Sequence, residues 1–94
     1  MELDNTPTLV TQELADAVMS GSLSQVVVEF SDFDNTWRVS VHLTDGIVYS
    51  LAEQEGWVDM FFKNLRDALV FLKGTGVSEV KLDLSKWSPT TGTL

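Results

Sequence analysis

The chain has 94 residues, of which 44% are hydrophobic, and its 14 acidic and 6 basic residues give a net charge of −8. This length allows one small domain with a single core. Such an acidic chain is a poor candidate for direct nucleic-acid binding, which depends on Lys and Arg displacing counterions. The charge favours a basic partner, although solubility alone would explain it as well.

The acidity is concentrated in the first two-thirds of the chain. Residues 1–62 hold eleven acids and one base, a net −10, whereas residues 63–94 hold three acids and five bases, a net +2. The chain has no cysteine, which fits a reducing compartment, and its sequence predicts neither a signal peptide nor a membrane span. We therefore expect a cytoplasmic protein.

The first periodic segment predicts a helix over residues 7–20. Thr6 and Pro7 have the residue types of an N-cap followed by a first-turn proline, and Gly21 is a suitable C-terminal stop. The apolar positions recur four residues apart, at Val10, Leu14 and Val18.

Three strands are predicted next, because apolar and polar residues alternate. The first covers residues 24–31 and the second residues 36–43, where one face is apolar throughout. Asp45 and Gly46 then have the sequence of a tight hairpin turn. The third strand continues the apolar face, with Ile47, Tyr49 and Leu51. The result is an antiparallel meander.

A second helix is predicted over residues 57–73, ended by Gly74. Its inward stripe has the helical period and comprises Val58, Phe61, Leu65, Ala68, Leu69 and Leu72. A fourth strand is predicted over residues 77–84, with Val80, Leu82 and Leu84 pointing inward.

The predicted fold class is therefore α+β, with the order α-β-β-β-α-β and both helices packed on one face of the sheet. The prediction is a single domain over residues 1–94, flexible at residues 1–5 and 88–94. The fourth strand follows a crossover helix, so it could pair parallel to a strand of the meander. The sequence does not show which strand that is.

Residues 26–36 read VVVEFSDFDNT, which resembles the motif of the haloacid dehalogenase phosphatases. The resemblance implies that Asp32 attacks phosphorus, that Asp34 protonates the leaving group, and that Mg²⁺ neutralises the charge. The downstream acidic pair is missing, and 94 residues are too few for a doubly wound sheet. We therefore predict a turn without catalytic, metal-binding or cofactor-binding residues, and keep the Mg²⁺-dependent phosphatase as an alternative.

The remaining signals indicate a surface for a protein partner. His42 is the only histidine, so no histidine cluster can form. The carboxylates of the acidic two-thirds would attract a basic protein or a nucleic-acid-binding complex, and exposed Trp side chains would anchor it. The predicted partner-binding residues are Glu29, Asp32, Asp34, Asp45, Glu53, Glu55, Asp59, Trp57 and Trp87.

The element order and three motifs resemble the small ParC-family partition-associated proteins of plasmids and integrative elements. The motifs are W-x-V-x-V, F-x-x-L-x-x-A-x-x-F-L-x-x-x-G and D-x-S-x-W-x-P, within residues 9–92. The matching residues are Trp37, Val39, Val41, Phe62, Leu65, Ala68, Phe71, Leu72, Gly76, Asp83, Ser85, Trp87 and Pro89. The resemblance implies an accessory role beside plasmid maintenance genes, without a defined catalytic residue set.

Two functions are consistent with these observations. The first is a non-enzymatic, protein-binding accessory module of a mobile genetic element. The second is an inhibitor that mimics nucleic acid, such as an anti-CRISPR or anti-restriction protein, in which the carboxylates stand in for phosphates. Edge strands and rim aromatics also allow a homodimer.

Overall fold

The computed structural model describes residues 7–52 and 60–89. Over these ranges the chain forms a six-stranded sheet with two helices packed against it, which confirms the predicted α+β class. The elements in chain order are β1 (Thr8–Val10), α1 (Thr11–Ser20), β2 (Leu23–Ser31), β3 (Thr36–Leu43), β4 (Val48–Ala52), β5 (Phe61–Phe62), α2 (Leu65–Gly74) and β6 (Lys81–Asp83).

The sheet order is β1-β4-β3-β2-β6, with β5 paired to β3. Strands β2, β3 and β4 form the predicted antiparallel meander. Strand β6 pairs parallel to β2, which identifies the neighbour that the sequence left open. Strand β1, which the sequence did not predict, pairs parallel to β4 at the other edge.

Strands β4 and β5 share one position beside β3. Ser50 of β4 pairs with both β3 and β1, but Leu51 and Ala52 pair with β1. Phe61 of β5 then pairs with β3, and the backbone N–H of Met60 donates to the carbonyl of Leu51 at 2.8 Å. The chain thus leaves β3 after Ser50 and returns to it at β5.

The core lies between one face of the sheet and both helices. On the face that packs against the helices, the odd-numbered residues of β3 stand opposite the even-numbered residues of β2. The rings of one such pair, Phe30 and Trp37, meet edge-to-face with centroids 5.0 Å apart. The buried cluster comprises Leu9, Leu14, Val26, Val28, Phe30, Trp37, Val39, Val41, Leu51, Leu65, Ala68, Leu72 and Val77. Removing such side chains from water is the main contribution to stability.

Helix α1 begins later than predicted, at Thr11. Residues 8–10 are held as a strand beside β4, so the predicted start at Thr6 and Pro7 is wrong. The backbone N–H of Val10, at the N-cap position, donates to the Glu13 carboxylate at 3.0 Å. The predicted stop is confirmed, because Gly21 adopts a left-handed conformation with φ 78°.

Helix α2 also begins later than predicted, at Leu65. The side chain of Asn64 accepts the backbone N–H of Asp67 at 2.9 Å, which caps the helix. Phe61 therefore lies in β5 and is exposed, and Leu69 is exposed as well, so both are wrong as inward positions. Val58 lies outside the described residues.

Three further residues predicted to point inward are exposed, at the margins of the sheet. Ile47 belongs to the turn before β4, and it is 45% exposed. Leu82 and Leu84 are 39% and 46% exposed, because β6 is short and is the last strand in the sheet order. Within residues 7–52 and 60–89, no helix is long and apolar enough to cross a membrane.

Candidate partner-binding site

The turn between β2 and β3 contains the motif that resembles the phosphatases. It runs from Asp32 to Asn35, and Asn35 takes the left-handed conformation, with φ 57°. Asn is one of the few residues other than Gly that tolerate this conformation. The turn therefore projects Asp32 and Phe33 beyond the end of the sheet, where both are exposed.

Asp34 is bound within this turn. Its carboxylate accepts the hydroxyl of Thr36 at 2.6 Å and a guanidinium N–H of Arg38 at 2.7 Å. The hydrogen bond from the Thr36 hydroxyl is the largest single cause that lowers the pKa of Asp34 below its ordinary value, and Arg38 lowers it further through its hydrogen bond and its charge. Asp34 is therefore ionised at neutral pH and is poorly suited to protonate a leaving group.

Arg38 connects the turn to the polar face of the sheet, which is the face opposite the helices. Its guanidinium lies 5.6 Å from the ring centroid of Phe61, within the range of a cation–π contact. Glu29 stands opposite Arg38 in the β2–β3 register, so both side chains leave the same face. Arg38, the one basic residue within residues 1–62, is thus in contact with groups of its own chain.

A cavity of about 320 Å³ lies on this polar face, at the end of the sheet where the β2–β3 turn projects. Three carboxylates and two bases are among its lining residues, which are Glu29, Phe30, Ser31, Asp32, Phe33, Arg38, Val39, Ser40, Ser50, Met60, Asp83, Ser85 and Lys86. It therefore brings together Glu29 and Asp32, which the sequence predicted, with Asp83, which it did not.

Phe33 was not predicted as a site residue, yet it is 93% exposed at the tip of the turn beside the cavity. Exposed aromatic side chains are common anchors of protein interfaces. The sequence does contain a signal for its exposure. Phe33 stands between two aspartates of a turn, outside the alternating pattern of the strands, so no strand directs its side chain into the core.

Asp45 does not join this site. It lies in the turn between β3 and β4, and the eight residues of β3 separate the two turns by about 26 Å. Its carboxylate accepts the backbone N–H of Ile47 at 2.8 Å and the hydroxyl of Tyr49 at 3.3 Å. Burial and the charge of Asp45 raise the pKa of the Tyr49 hydroxyl above its ordinary value.

The other predicted partner-binding residues fall in two groups. Glu53, Glu55, Trp57 and Asp59 lie outside the described residues. Trp87 is half-buried and packs against the core cluster instead of standing free at the rim. The structure therefore assembles Glu29 and Asp32, with Asp34 bound beside them, out of the larger predicted set.

A second groove lies on the outer surface of α2. Leu69 and Val70 line it between Arg66 and Lys73, and all four side chains are exposed. Its basic ends are opposite in charge to the β2–β3 turn, so the two surfaces fit different partners.

Within residues 7–52 and 60–89, no three His, Asp or Glu side chains are placed to hold a metal ion. No known protein family, curated protein or solved structure matches the chain.

Proposed function

We propose that this chain is a non-enzymatic module that captures a basic protein partner through the Phe33 site. We define this site as Glu29, Asp32 and Phe33 together with the adjoining cavity. The observation that carries the proposal is the full exposure of Phe33 between acidic groups and beside a cavity.

The site offers two kinds of contact. Phe33 provides apolar area that becomes buried when a partner docks, and such aromatic anchors contribute much of the affinity of protein interfaces. The carboxylates of Glu29 and Asp32 attract a positively charged partner and steer its approach. The cavity has room for a Lys or Arg side chain from that partner.

The resemblance to the ParC-family partition-associated proteins suggests where such a module works. On that basis the chain acts in the cytoplasm as an accessory of a mobile genetic element, and its partner is a protein of plasmid partition or maintenance. This part of the proposal depends on the sequence motifs, whereas the binding site depends on Phe33.

The nucleic-acid mimic is a second proposal for the same charge. A mimic presents carboxylates spaced like phosphates, but Asp34 is bound to Arg38 and Asp45 lies at the opposite end of β3. The free carboxylates of the described ranges therefore fit a local contact better than an extended one. If the chain is a mimic, its partner is a nuclease or surveillance complex, and duplex DNA competes with the chain for that partner.

A photo-crosslinking amino acid at position 33 tests the proposal in the native host. Met19 provides the matched control, because it is also apolar, is 86% exposed, and lies on α1 away from the cavity. We expect a defined basic protein to crosslink at position 33 and not at position 19. Equal crosslinking at both positions, or none at position 33, would contradict the proposal.

The captured partner then distinguishes the two functions. A partition or maintenance protein whose binding resists duplex DNA supports the accessory module. A DNA-binding nuclease that duplex DNA displaces, with strong salt dependence, supports the mimic.

The phosphatase alternative has its own assay. Hydrolysis of a generic phosphate ester is measured with Mg²⁺ for the wild type and for Asp32→Asn. We expect both to remain at background, since Asp34 is held ionised. Hydrolysis by the wild type that Asp32→Asn abolishes would overturn the non-enzymatic assignment.

A further inference from the structure

Strand β6 forms one edge of the sheet, and its sequence has an unusual symmetry. It lies last in the strand order, and within the described residues no strand pairs with its outer side. Residues 80–84 read Val-Lys-Leu-Asp-Leu, so a basic and an acidic residue flank Leu82 and an apolar residue follows on each side. Leu82 and Leu84 are partly exposed despite their apolar character.

This pattern is complementary to itself when two copies pair antiparallel about Leu82. In that register Leu82 faces its own counterpart across the two-fold axis. Lys81 faces Asp83 of the second copy, and Val80 faces Leu84, each pair occurring twice. Opposite charges that face each other across strands are stabilising, as are apolar pairs, so every contact of the register is favourable.

Neighbouring registers are unfavourable. Centring the pair on residue 81 places Lys81 opposite Lys81, and centring it on residue 83 places Asp83 opposite Asp83. Like charges directly opposite each other destabilise a strand pair. The two charged residues therefore select one register, which is how natural edge strands limit unspecific pairing.

The sheet supplies a second, independent reason for this pairing. Asp83 is the register partner of Glu29 in the parallel β2–β6 pair, so two carboxylates leave the same face side by side. In the paired register Lys81 of the second copy would lie directly on the other side of Asp83. Lys81 and Lys86 of the same chain already act on Asp83, and the second copy thus adds a positive charge on its outer side, opposite Glu29.

We propose that the chain forms a two-fold symmetric dimer through β6, with Leu82 at the axis, so that the two sheets become one continuous sheet. The occupant of the edge is a second copy of the same chain. The inference is independent of the partner bound at the Phe33 site, because the dimer can be measured with the purified chain alone.

Cysteine substitution tests the register directly, because the chain has no cysteine of its own. In the proposed dimer the two Leu82→Cys side chains meet at the axis, at a Cα separation of about 4.5–5.5 Å, which a disulfide spans. We expect rapid and nearly complete disulfide crosslinking under mild oxidation.

Leu84→Cys is the matched control for that experiment. The residue is similarly exposed, but its counterpart in the proposed register lies four positions further along the strand, at about 13 Å, which is too far for a disulfide. We expect little crosslinking of this variant. Equal crosslinking of the two variants, or none of Leu82→Cys, would overturn the register.

Charge reversal tests the pairing without cysteine, by sedimentation over a concentration series. Lys81→Glu turns two attractive pairs into two repulsive ones, and Asp83→Lys does the same, so each should weaken self-association roughly tenfold or more. Mixing the two variants should restore dimers, because each then faces an opposite charge. Lys63→Glu, an equal change of charge away from β6, should leave the dimer unchanged.

These outcomes decide the proposal. A wild-type chain that stays monomeric at all concentrations overturns it, and so does a dimer that survives both charge reversals. Failure of the mixture to associate overturns it as well. Circular dichroism of each variant verifies that the fold is kept. Asp83 also accepts the backbone N–H of Ser85 at 3.0 Å, in an Asx turn that Asp83→Lys removes. The mixing experiment controls for this loss, because the turn is still absent when the mixed dimer forms.

Discussion

The two turns at the ends of β3 look alike in sequence but differ in what they leave exposed. Each contains an aspartate and one left-handed residue, Asn35 in the first turn and Gly46 in the second. In the second turn the Asp45 carboxylate binds the backbone and side chain of its own hairpin. In the first turn the Asp34 carboxylate binds the side chains of Thr36 and Arg38, whereas Asp32 and Phe33 face solvent.

An aspartate in a turn can therefore have either of two roles. Its carboxylate can replace a backbone hydrogen-bond partner and stabilise the turn, or it can remain available to a second molecule. Only the geometry of the acceptor atoms distinguishes these uses. The following predictions separate a turn that binds from a turn that mainly builds the fold.

The largest expected effect is on partner affinity. Phe33→Ala removes the exposed anchor and should weaken binding of the crosslinked partner roughly tenfold or more, which corresponds to about 1.4 kcal/mol or above. Ile47→Ala is the control in the other turn, where an exposed apolar side chain is removed away from the cavity. Calorimetric titration of both variants checks the difference, and equal losses of affinity would show that the two turns are equivalent.

A smaller effect is expected on the free energy of unfolding. Gly46→Ala places a Cβ on a backbone at φ 86° and should lower that free energy by about 1 kcal/mol. No heavy atom outside Gly46 and its two chain neighbours lies within 4 Å of the new Cβ, so the cost comes from the backbone conformation alone. Urea unfolding measures this loss.

The first turn provides the contrast for that measurement. Asn35→Gly should leave the free energy of unfolding nearly unchanged, because glycine adopts the same left-handed conformation without strain. A loss of stability as large as that of Gly46→Ala would show that the Asn35 side chain, and not the backbone conformation, holds the first turn.

The third prediction concerns acid pH. The pKa of Asp34 is lower in the folded than in the unfolded chain, so its stabilising contribution is present above the ordinary aspartate pKa of about 4 and is lost as the pH falls through the folded value. Asp34→Asn should therefore reduce stability at neutral pH and converge with the wild type in acid. Thermal unfolding over a pH series measures this convergence.

The cause of the pKa shift can be tested separately by carboxyl NMR titration. Thr36→Val and Arg38→Met should each raise the Asp34 pKa, because the hydroxyl donates one hydrogen bond and the guanidinium contributes a second hydrogen bond and its charge. An unchanged pKa in Thr36→Val would assign the shift to the ion pair alone.

The smallest expected effect concerns Tyr49, the only tyrosine of the chain. Its pKa is raised, so ultraviolet titration should show ionisation above the usual pH of about 10. Asp45→Asn should lower that pKa only in part, because the burial that also raises it is unchanged. Since the folded chain retains this proton more strongly than the unfolded chain, the associated stability is lost as the pH rises through the folded pKa.

The parts of the fold that followed from the sequence are those where one physical pattern acts alone. Strand β3 matches its predicted range of residues 36–43, because strict alternation fixes which side chains enter the core. The meander and the stop at Gly21 follow in the same manner from turn and cap chemistry.

The remaining parts failed where two patterns compete. Phe61 and Leu65 are four residues apart, as in a helix, but Asn64 between them is a helix cap, and the preceding residues belong to β5. Strand β1 pairs through three residues of the predicted first helix, and this pairing depends on a distant strand that local patterns do not reveal.

The candidate site was predicted in part. Glu29 and Asp32 follow from charge, but the separation of Asp45 depends on the length of β3 between the two turns. The pairing of Asp34 depends on Arg38, which reaches back from the following strand. The sequence does not predict Phe33 as a site residue, because a turn pattern shows where the chain reverses and not which of its side chains remain exposed.

The exchange of partners between β4 and β5 has a practical consequence for engineering. Met60 donates a hydrogen bond to Leu51, so the two ends of the intervening segment are fixed next to each other by the sheet. Engineering should therefore leave this contact intact, because Met60→Pro would remove the donor and release the ends of β4 and β5 together.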